Sequence, residues 1–305
     1  MYWHGKTAQS AGTLSNSSAL VDYSNISAGF VNSLINASAF DTMRVGGMVL
    51  VPLTTASVGA VSIGAQFYSL GEGSAKPVSR MTITAEQMTP TKVHGCVVVT
   101  QELARSTQPG ALQLIERGLR TGCAGLTDLA FIANISIGAP VATSTGQTAE
   151  AVRADIANLL RAISTGQDSK LYLLVTPLIC KSWSMLTDSK GLSAFPTLSP
   201  TGGTVNGVIV IASDGVPTGQ VILADASGIA ASPGEIILQQ FSEGSFQADS
   251  SPDSPQTAAT NLISLWQLNL TAVVIERFLC AVKLRSDAVA VCFNSGSYSS
   301  GNSPP

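Results

Sequence analysis

Apolar positions along the chain change period as the sequence proceeds. From Gln108 they fall at Leu112, Ile115, Leu119, Cys123, Leu126 and Ala130, spaced three and four apart, which predicts one face of a long helix reaching Ile132. Ahead of it the period is shorter. Val61–Leu70, Arg80–Glu86 and Lys92–Thr100 are rich in Thr, Ile and Val and predict strands, with a glycine-rich tip at Gly71–Pro77 between the first two. A bare two-stranded ribbon is marginally stable in water, so the ribbon is expected to lie on another copy of the chain. The helix carries Gly118, Gly122 and Gly125, each costing about 1 kcal/mol relative to Ala, so packing must hold it, and close backbone approach is expected at those glycines.

On either side of this stretch the pattern divides the chain. Residues 1–24 are Ser, Ala, Gly and Asn with few large apolar side chains and read as an extended arm. Ile26, Phe30, Val31, Leu34 and Ile35 fall at helical spacing, and Met48–Leu53 predicts a strand. After a loosening from Gly138 to Gly146, Thr148 caps a predicted helix with Val152, Ile156, Leu159 and Ile163 on its buried face. Leu171–Val175 predicts a buried strand, and Thr176-Pro177 opens a second helix through Leu186. Val205–Ala212, Val221–Ala224, Glu235–Gln240, the stretch Leu262–Val282 and Val289–Phe293 predict further strands, giving an α+β chain ending in a polar tail.

Composition narrows the function classes. The chain has 305 residues, 11% of them charged against about 25% in typical soluble domains, so much of its surface must be covered by other subunits or by Ser, Thr, Asn and Gln. A net charge of -3 without clustered Lys and Arg argues against a dedicated nucleic-acid binder. The apolar runs are too short to span a bilayer, and the N-terminus lacks a signal-peptide pattern, so folding in the cytoplasm is expected. Five scattered cysteines suit neither zinc nor a disulfide framework and are expected to be buried thiols.

Catalytic chemistry is sparse. The two histidines, His4 and His94, fall in the arm and in a ribbon strand, and no HExxH, Walker loop or GxSxG occurs. Asp214 and Asp225 flank a turn and are expected to form it rather than to bind a cation. Glu276 and Arg277 read as a charge pair in an apolar strand. No catalytic, cofactor-binding or metal-binding residue is assigned.

The ordered set of elements resembles the major capsid proteins of tailed bacteriophages, the Hong Kong 97-type fold. Gly71-Glu72-Gly73 with Lys76-Pro77 looks like the tip of the family's E-loop, and Val97–Leu103 like the strand entering its spine helix, with Thr100 in place of the commoner Ser. Gly207–Asp214, Val216–Gly219 and Leu223–Ser227 are similar to its A-domain pattern, and Leu270–Arg277 with Arg285–Val289 to its closing strands. The resemblance implies an N-terminal arm over 1–40, P-domain at 41–57, E-loop at 58–99, P-domain with spine helix at 100–140, A-domain at 141–262, closing strands at 263–294 and a flexible tail at 295–305. It implies a self-assembling shell of hexamers and pentamers around double-stranded DNA bound without sequence specificity. A scaffolding protein or cleaved scaffold segment, a portal protein and a decoration protein are the further partners, in a virion assembled in the bacterial cytoplasm. Contacts between subunits are expected at Phe30, Leu34, Gly71, Glu72, Gly73, Lys76, Pro77, Arg80, Glu102, Glu116, Arg120, Glu276 and Arg277. Some relatives join a loop Lys to an Asn with help from a carboxylate. Lys76 suits the first role, but Ile275 and Leu268 stand where the second Glu and the Asn are expected, so no crosslink is predicted. The alternatives are an encapsulin-type nanocompartment of the same fold and, remotely, a hydrolytic enzyme.

Overall fold

A computed structural model describes residues 38–63, 67–72, 74–80, 82–102 and 111–293, with the backbone alone at 61–63 and 111–117. Residues 1–37 of the arm, with Phe30 and Leu34 among them, Gly73 and the tail lie outside the described residues. Helix α1 (Ala39–Val45) is followed by strands β1 (Val49–Leu50), β2 (Ser57–Ile63), β3 (Thr82–Gln87) and β4 (Thr91–Thr100), and by the long helix α2 (Ala111–Ser136). Then come β5 (Val141–Thr143), α3 (Ala149–Ala162), β6 (Leu171–Val175) and α4 (Pro177–Ser184). Strands β7 (Leu198–Ser199), β8 (Gly202–Val205), β9 (Val208–Ala212), β10 (Gln220–Asp225) and β11 (Ile229–Ser232) follow. The chain closes with β12 (Ile236–Phe241), β13 (Ser245–Phe246), β14 (Ile263–Ser264), β15 (Leu270–Lys283) and β16 (Val289–Phe293).

Two compact units divide the chain. The first takes its described residues from Lys92–Cys123 and Glu235–Arg277, the second from Ile35–Thr91, Ala124–Gly234 and Phe278–Pro305, so the division falls inside α2 and inside β15.

In the second unit a seven-stranded sheet has the order β5-β16-β10-β6-β9-β8-β7. Its central strands are buried along almost their whole length, β6 reading Leu-Tyr-Leu-Leu-Val and β10 carrying Val-Ile-Leu-Ala between Gln220 and Asp225, as strands covered on both faces must be. Val152, Ile156, Leu159 and Ile163 of the α3 face are all buried in one core with Trp183 of α4, Phe195 and the sheet. Thr148 and Thr176 cap their helices as expected, accepting from the Ala151 and Ile179 N–H groups. Strand β1 runs parallel to β11, which pairs antiparallel with the C-terminal end of β15, Ile229 opposite Lys283. The ribbon β2–β3 is antiparallel from Ser57↔Gln87 and forms a two-stranded sheet by itself.

In the first unit β12 runs antiparallel to β15, from Ile236↔Arg277 to Phe241↔Ala272, and β4 pairs with β15 as well. Leu265, Leu270 and Ala272 form a small core with Val98, Phe246 and Ile263.

Several expectations are corrected. The predicted strand over 205–212 is broken by a two-residue turn, because Asn206 (φ 50°) and Gly207 (φ 82°) reverse the chain and pair Val205 with Val208. Strand β2 ends at Ile63, and Phe67–Leu70 carry no strand. The stretch 262–282 is likewise two strands, separated by turns that end at Asn269 (φ 51°). A Cβ on Gly118, Gly122 or Gly125 would meet nothing within 4 Å among the described residues, so no neighbour demands glycine at these positions, although the Gly125 carbonyl is itself closely approached by the chain at Gly215. The buried stripe of α2 also differs. Leu119 and Cys123 are buried as predicted, but Leu126 is 48% exposed, and the stripe passes instead through Thr127, Asp128, Phe131, Ile132 and Ile135.

Candidate functional site

Six of the thirteen residues expected to meet a neighbour fall at the ribbon tip or just beyond it. Gly71, Glu72, Lys76, Pro77 and Arg80 are all exposed. Sequence reasoning missed the apolar side chains around them: Phe67 and Val78 are each 94% exposed, with Tyr68 and Leu70 about half so. Two strands that pair only with each other offer these side chains nothing to pack on, and their exposure was legible only once Phe67–Leu70 proved to have no strand partner.

In the first unit Glu276 pairs with Lys92 at 2.6 Å rather than with Arg277. Successive strand residues point to opposite faces, so the adjacent charges cannot meet; Glu276 is partly exposed and Arg277 is 1% exposed. Ile275 is also buried, and a Cβ on Gly95 would lie 3.1 Å from its Cγ2, so packing demands an apolar residue there. Glu102 is exposed and accepts a hydrogen bond from the Asn269 side-chain amide, beside the backbone bond from Gln101 N–H to Asn269 O at 2.8 Å. Arg120 is half-buried on α2, and Glu116 lies there with its side chain outside the described residues.

Two buried carboxylates hold the second unit together, and neither was singled out as such by the sequence pattern. Asp128 Oδ1 accepts from the Ser38 hydroxyl at 2.6 Å and the Phe40 N–H at 3.0 Å; Oδ2 accepts from the Ala39 N–H at 2.9 Å and the Ser213 hydroxyl at 2.5 Å. Burial pushes the Asp128 carboxyl above the ordinary carboxylate range, and the four hydrogen bonds pull only part of the way back. Asp225 forms the expected turn, accepting from Ser227 N–H at 3.1 Å, but it also accepts from the Ser169 hydroxyl at 2.7 Å and Lys170 N–H at 2.9 Å and pairs with Arg285 at 2.7 Å. Burial raises its pKa, yet the hydrogen bonds from Ser169, Ser227 and Lys170 outweigh burial and leave it below the ordinary value.

The chemistry on offer is cohesive. His94 is exposed on β4, and no three His, Cys, Asp or Glu side chains among the described residues gather as metal ligands. Cys96 is exposed, whereas Cys123, Cys180, Cys280 and Cys292 are buried. Burial pushes the thiols of Cys180 and Cys280 up, and burial together with the Asp155 charge takes Cys292 to about 11, so these sulfurs stay protonated and unreactive at neutral pH. No helix of the described residues is long and apolar enough to cross a membrane.

Comparison with solved structures defines the class. A chain from Gordonia phage Cozz superposes with a TM-score of 0.58 at 16% identity, covering 83% of this chain and 86% of that one. A chain from Mycobacterium phage Ogopogo gives 0.56 at 16% identity over 97% and 95%. The capsid of an empty GTA particle gives 0.51 at 10% identity over 83% and 89%. The chain has the Hong Kong 97-type fold of phage capsid proteins.

In sequence it is similar to the capsid polyprotein of Pseudomonas phage PAJU2, 33% identical over 270 residues that make up 82% of this chain. The chain spans 40% of that relative's length. No family model matches it.

Proposed function

We propose that this chain is a major capsid protein, which assembles through hexamers and pentamers into an icosahedral shell enclosing the double-stranded DNA of a tailed phage. The observation that carries the reading is the ribbon tip. Phe67 and Val78 are 94% exposed on a ribbon without a core of its own, in a fold used by phage capsids, and a neighbouring subunit is the surface that would cover them. The division of labour in this reading is an arm over 1–40, an E-loop over 58–99 lying on a neighbour, a P-domain at 41–57 and 100–140, an A-domain at 141–262, closing strands at 263–294 and a tail at 295–305. Around the exposed apolar residues, Glu72, Lys76 and Arg80 would supply polar contacts at the rim, as would Glu102 and Glu276 in the first unit. A scaffolding protein or segment, a portal and a decoration protein are the remaining partners, and assembly takes place in the host cytoplasm. The role is structural, without catalysis.

Expression of the chain followed by electron microscopy tests this directly. Closed shells are the expected result, and a stable monomer at all concentrations would overturn the proposal. Deleting residues 71–77 should leave soluble, folded subunits that assemble poorly; normal shells from that deletion would remove the role given to the tip. Double-stranded DNA inside particles purified from infected cells supports the phage shell, and enzyme cargo in its place would identify a nanocompartment.

A further inference from the structure

The Asp128 cluster joins three segments distant in sequence, and every hydrogen bond in it runs the same way. Ser38 Oγ accepts from Asp41 N–H at 3.4 Å and donates to Asp128; Ser213 Oγ accepts from Gly215 N–H at 3.1 Å and donates to Asp128. Two backbone N–H groups, of Ala39 and Phe40, complete the set from the first turn of α1. Each carboxylate oxygen therefore faces one hydroxyl donor and one backbone N–H, and a backbone N–H cannot be turned round. Only a group that accepts on both oxygens fits. Packing repeats the demand: a Cβ on Gly215 would lie 2.5 Å from Asp128 Cβ, 2.6 Å from Leu129 N and 2.7 Å from Gly125 O, so the 213–216 turn lies directly on the helix backbone. Phe40 meets Phe131 edge-on at 5.1 Å one turn further along α2.

We infer that Asp128 is an acceptor-only pin that locks α1 and the 213–216 turn onto the long helix, so that these two segments, distant in sequence, are held or released together. For assembly, which rests on the capsid reading above, the consequence is that a subunit with a loosened pin offers its neighbours α1 and the 213–216 turn in many arrangements instead of one.

Asp128→Asn tests the pin with almost no change of shape. Whichever way the amide is turned, its NH2 group faces a backbone N–H, of Phe40 or of Ala39, and a repulsive donor pair replaces a hydrogen bond. In hydrogen exchange followed by mass spectrometry on the full-length free subunit, the variant should exchange roughly tenfold or more faster at 39–46 and 214–216, with 149–175 unchanged. Ser213→Ala removes one donor and keeps the carboxylate, so it should speed exchange at 39–46 as well, by a smaller factor, although residue 213 is distant from that segment in sequence. Unchanged exchange at 39–46 in both variants overturns the pin; if Asp128→Asn does not fold, Ser213→Ala decides alone. Electron microscopy of the same preparations reads the assembly half. Aberrant or missing shells from a folded Asp128→Asn subunit support it, and normal shells from a subunit with accelerated exchange overturn it. Failure of the wild type itself to form shells would count against the capsid reading while leaving the exchange result intact.

Discussion

Replacing Phe67 and Val78 together by Ser should leave the free subunit as stable as the wild type and weaken its association. Both side chains are 94% exposed, so the folded subunit has almost no burial of theirs to lose, and surface changes of this kind stay within about 0.5 kcal/mol. Covering them in a shell is different. Fully burying a Phe or Val side chain contributes about 1.5–3 kcal/mol, hence about 3–6 kcal/mol per subunit for the pair. At about 1.4 kcal/mol per factor of ten, shells should first appear at roughly 10²–10⁴ times the wild-type concentration. Sedimentation velocity across a dilution series, with micrographs of the same samples, gives that concentration, and urea unfolding of free subunits gives the stability. Shells at the wild-type concentration would refute burial of the tip between subunits. A lowered urea midpoint would show instead that these side chains belong to the subunit's own fold.

The buried sites give further expectations. Asp225→Asn should cost about 2–3 kcal/mol in urea unfolding at neutral pH, below the range for a fully buried pair because Arg285 keeps a third of its side chain in water. Since the folded Asp225 titrates below its ordinary value of 3.8, its contribution is complete above that value and is lost as pH falls through the folded pKa. The gap between wild type and variant should therefore be flat from about pH 5 to 8 and close in stronger acid; a gap that widens on acidification would reverse the assignment. Gly215→Val should destabilise the second unit by more than about 2 kcal/mol, because its side chain would enter backbone at α2, and a neutral result in thermal unfolding would contradict the close approach. Leu159→Ala, in the fully buried face of α3, should cost about 2–5 kcal/mol by the same measurement, and a loss under 1 kcal/mol would mean that the core collapses around the gap.

Local pattern determined the elements whose burial follows from their own side chains. The α3 face at Val152, Ile156, Leu159 and Ile163, the caps at Thr148 and Thr176 and the buried strand at Leu171–Val175 are all as the periodicity predicts, because each depends on residues a few positions apart. The Asn206-Gly207 reversal was missed by the strand prediction over 205–212, although an Asn-Gly pair between apolar runs is a strong hairpin signal that could have found it. The pattern could not show which polar residues become apolar in effect. Asp128 lies in the buried stripe of α2 because donors from residues 38–40 and 213 satisfy its charge, and those partners are 85 to 90 positions away. An apolar count skips Asp128 and follows Leu126, which is exposed. Glu276 is a parallel case, beside Arg277 in sequence yet bonded to Lys92, because a strand turns neighbours to opposite faces and only the sheet brings distant strands together. Composition determined that charge is too sparse to cover this chain's surface, leaving the task to other subunits or to Ser, Thr, Asn and Gln; the tertiary structure decided that Phe67 and Val78 are left exposed at the ribbon tip.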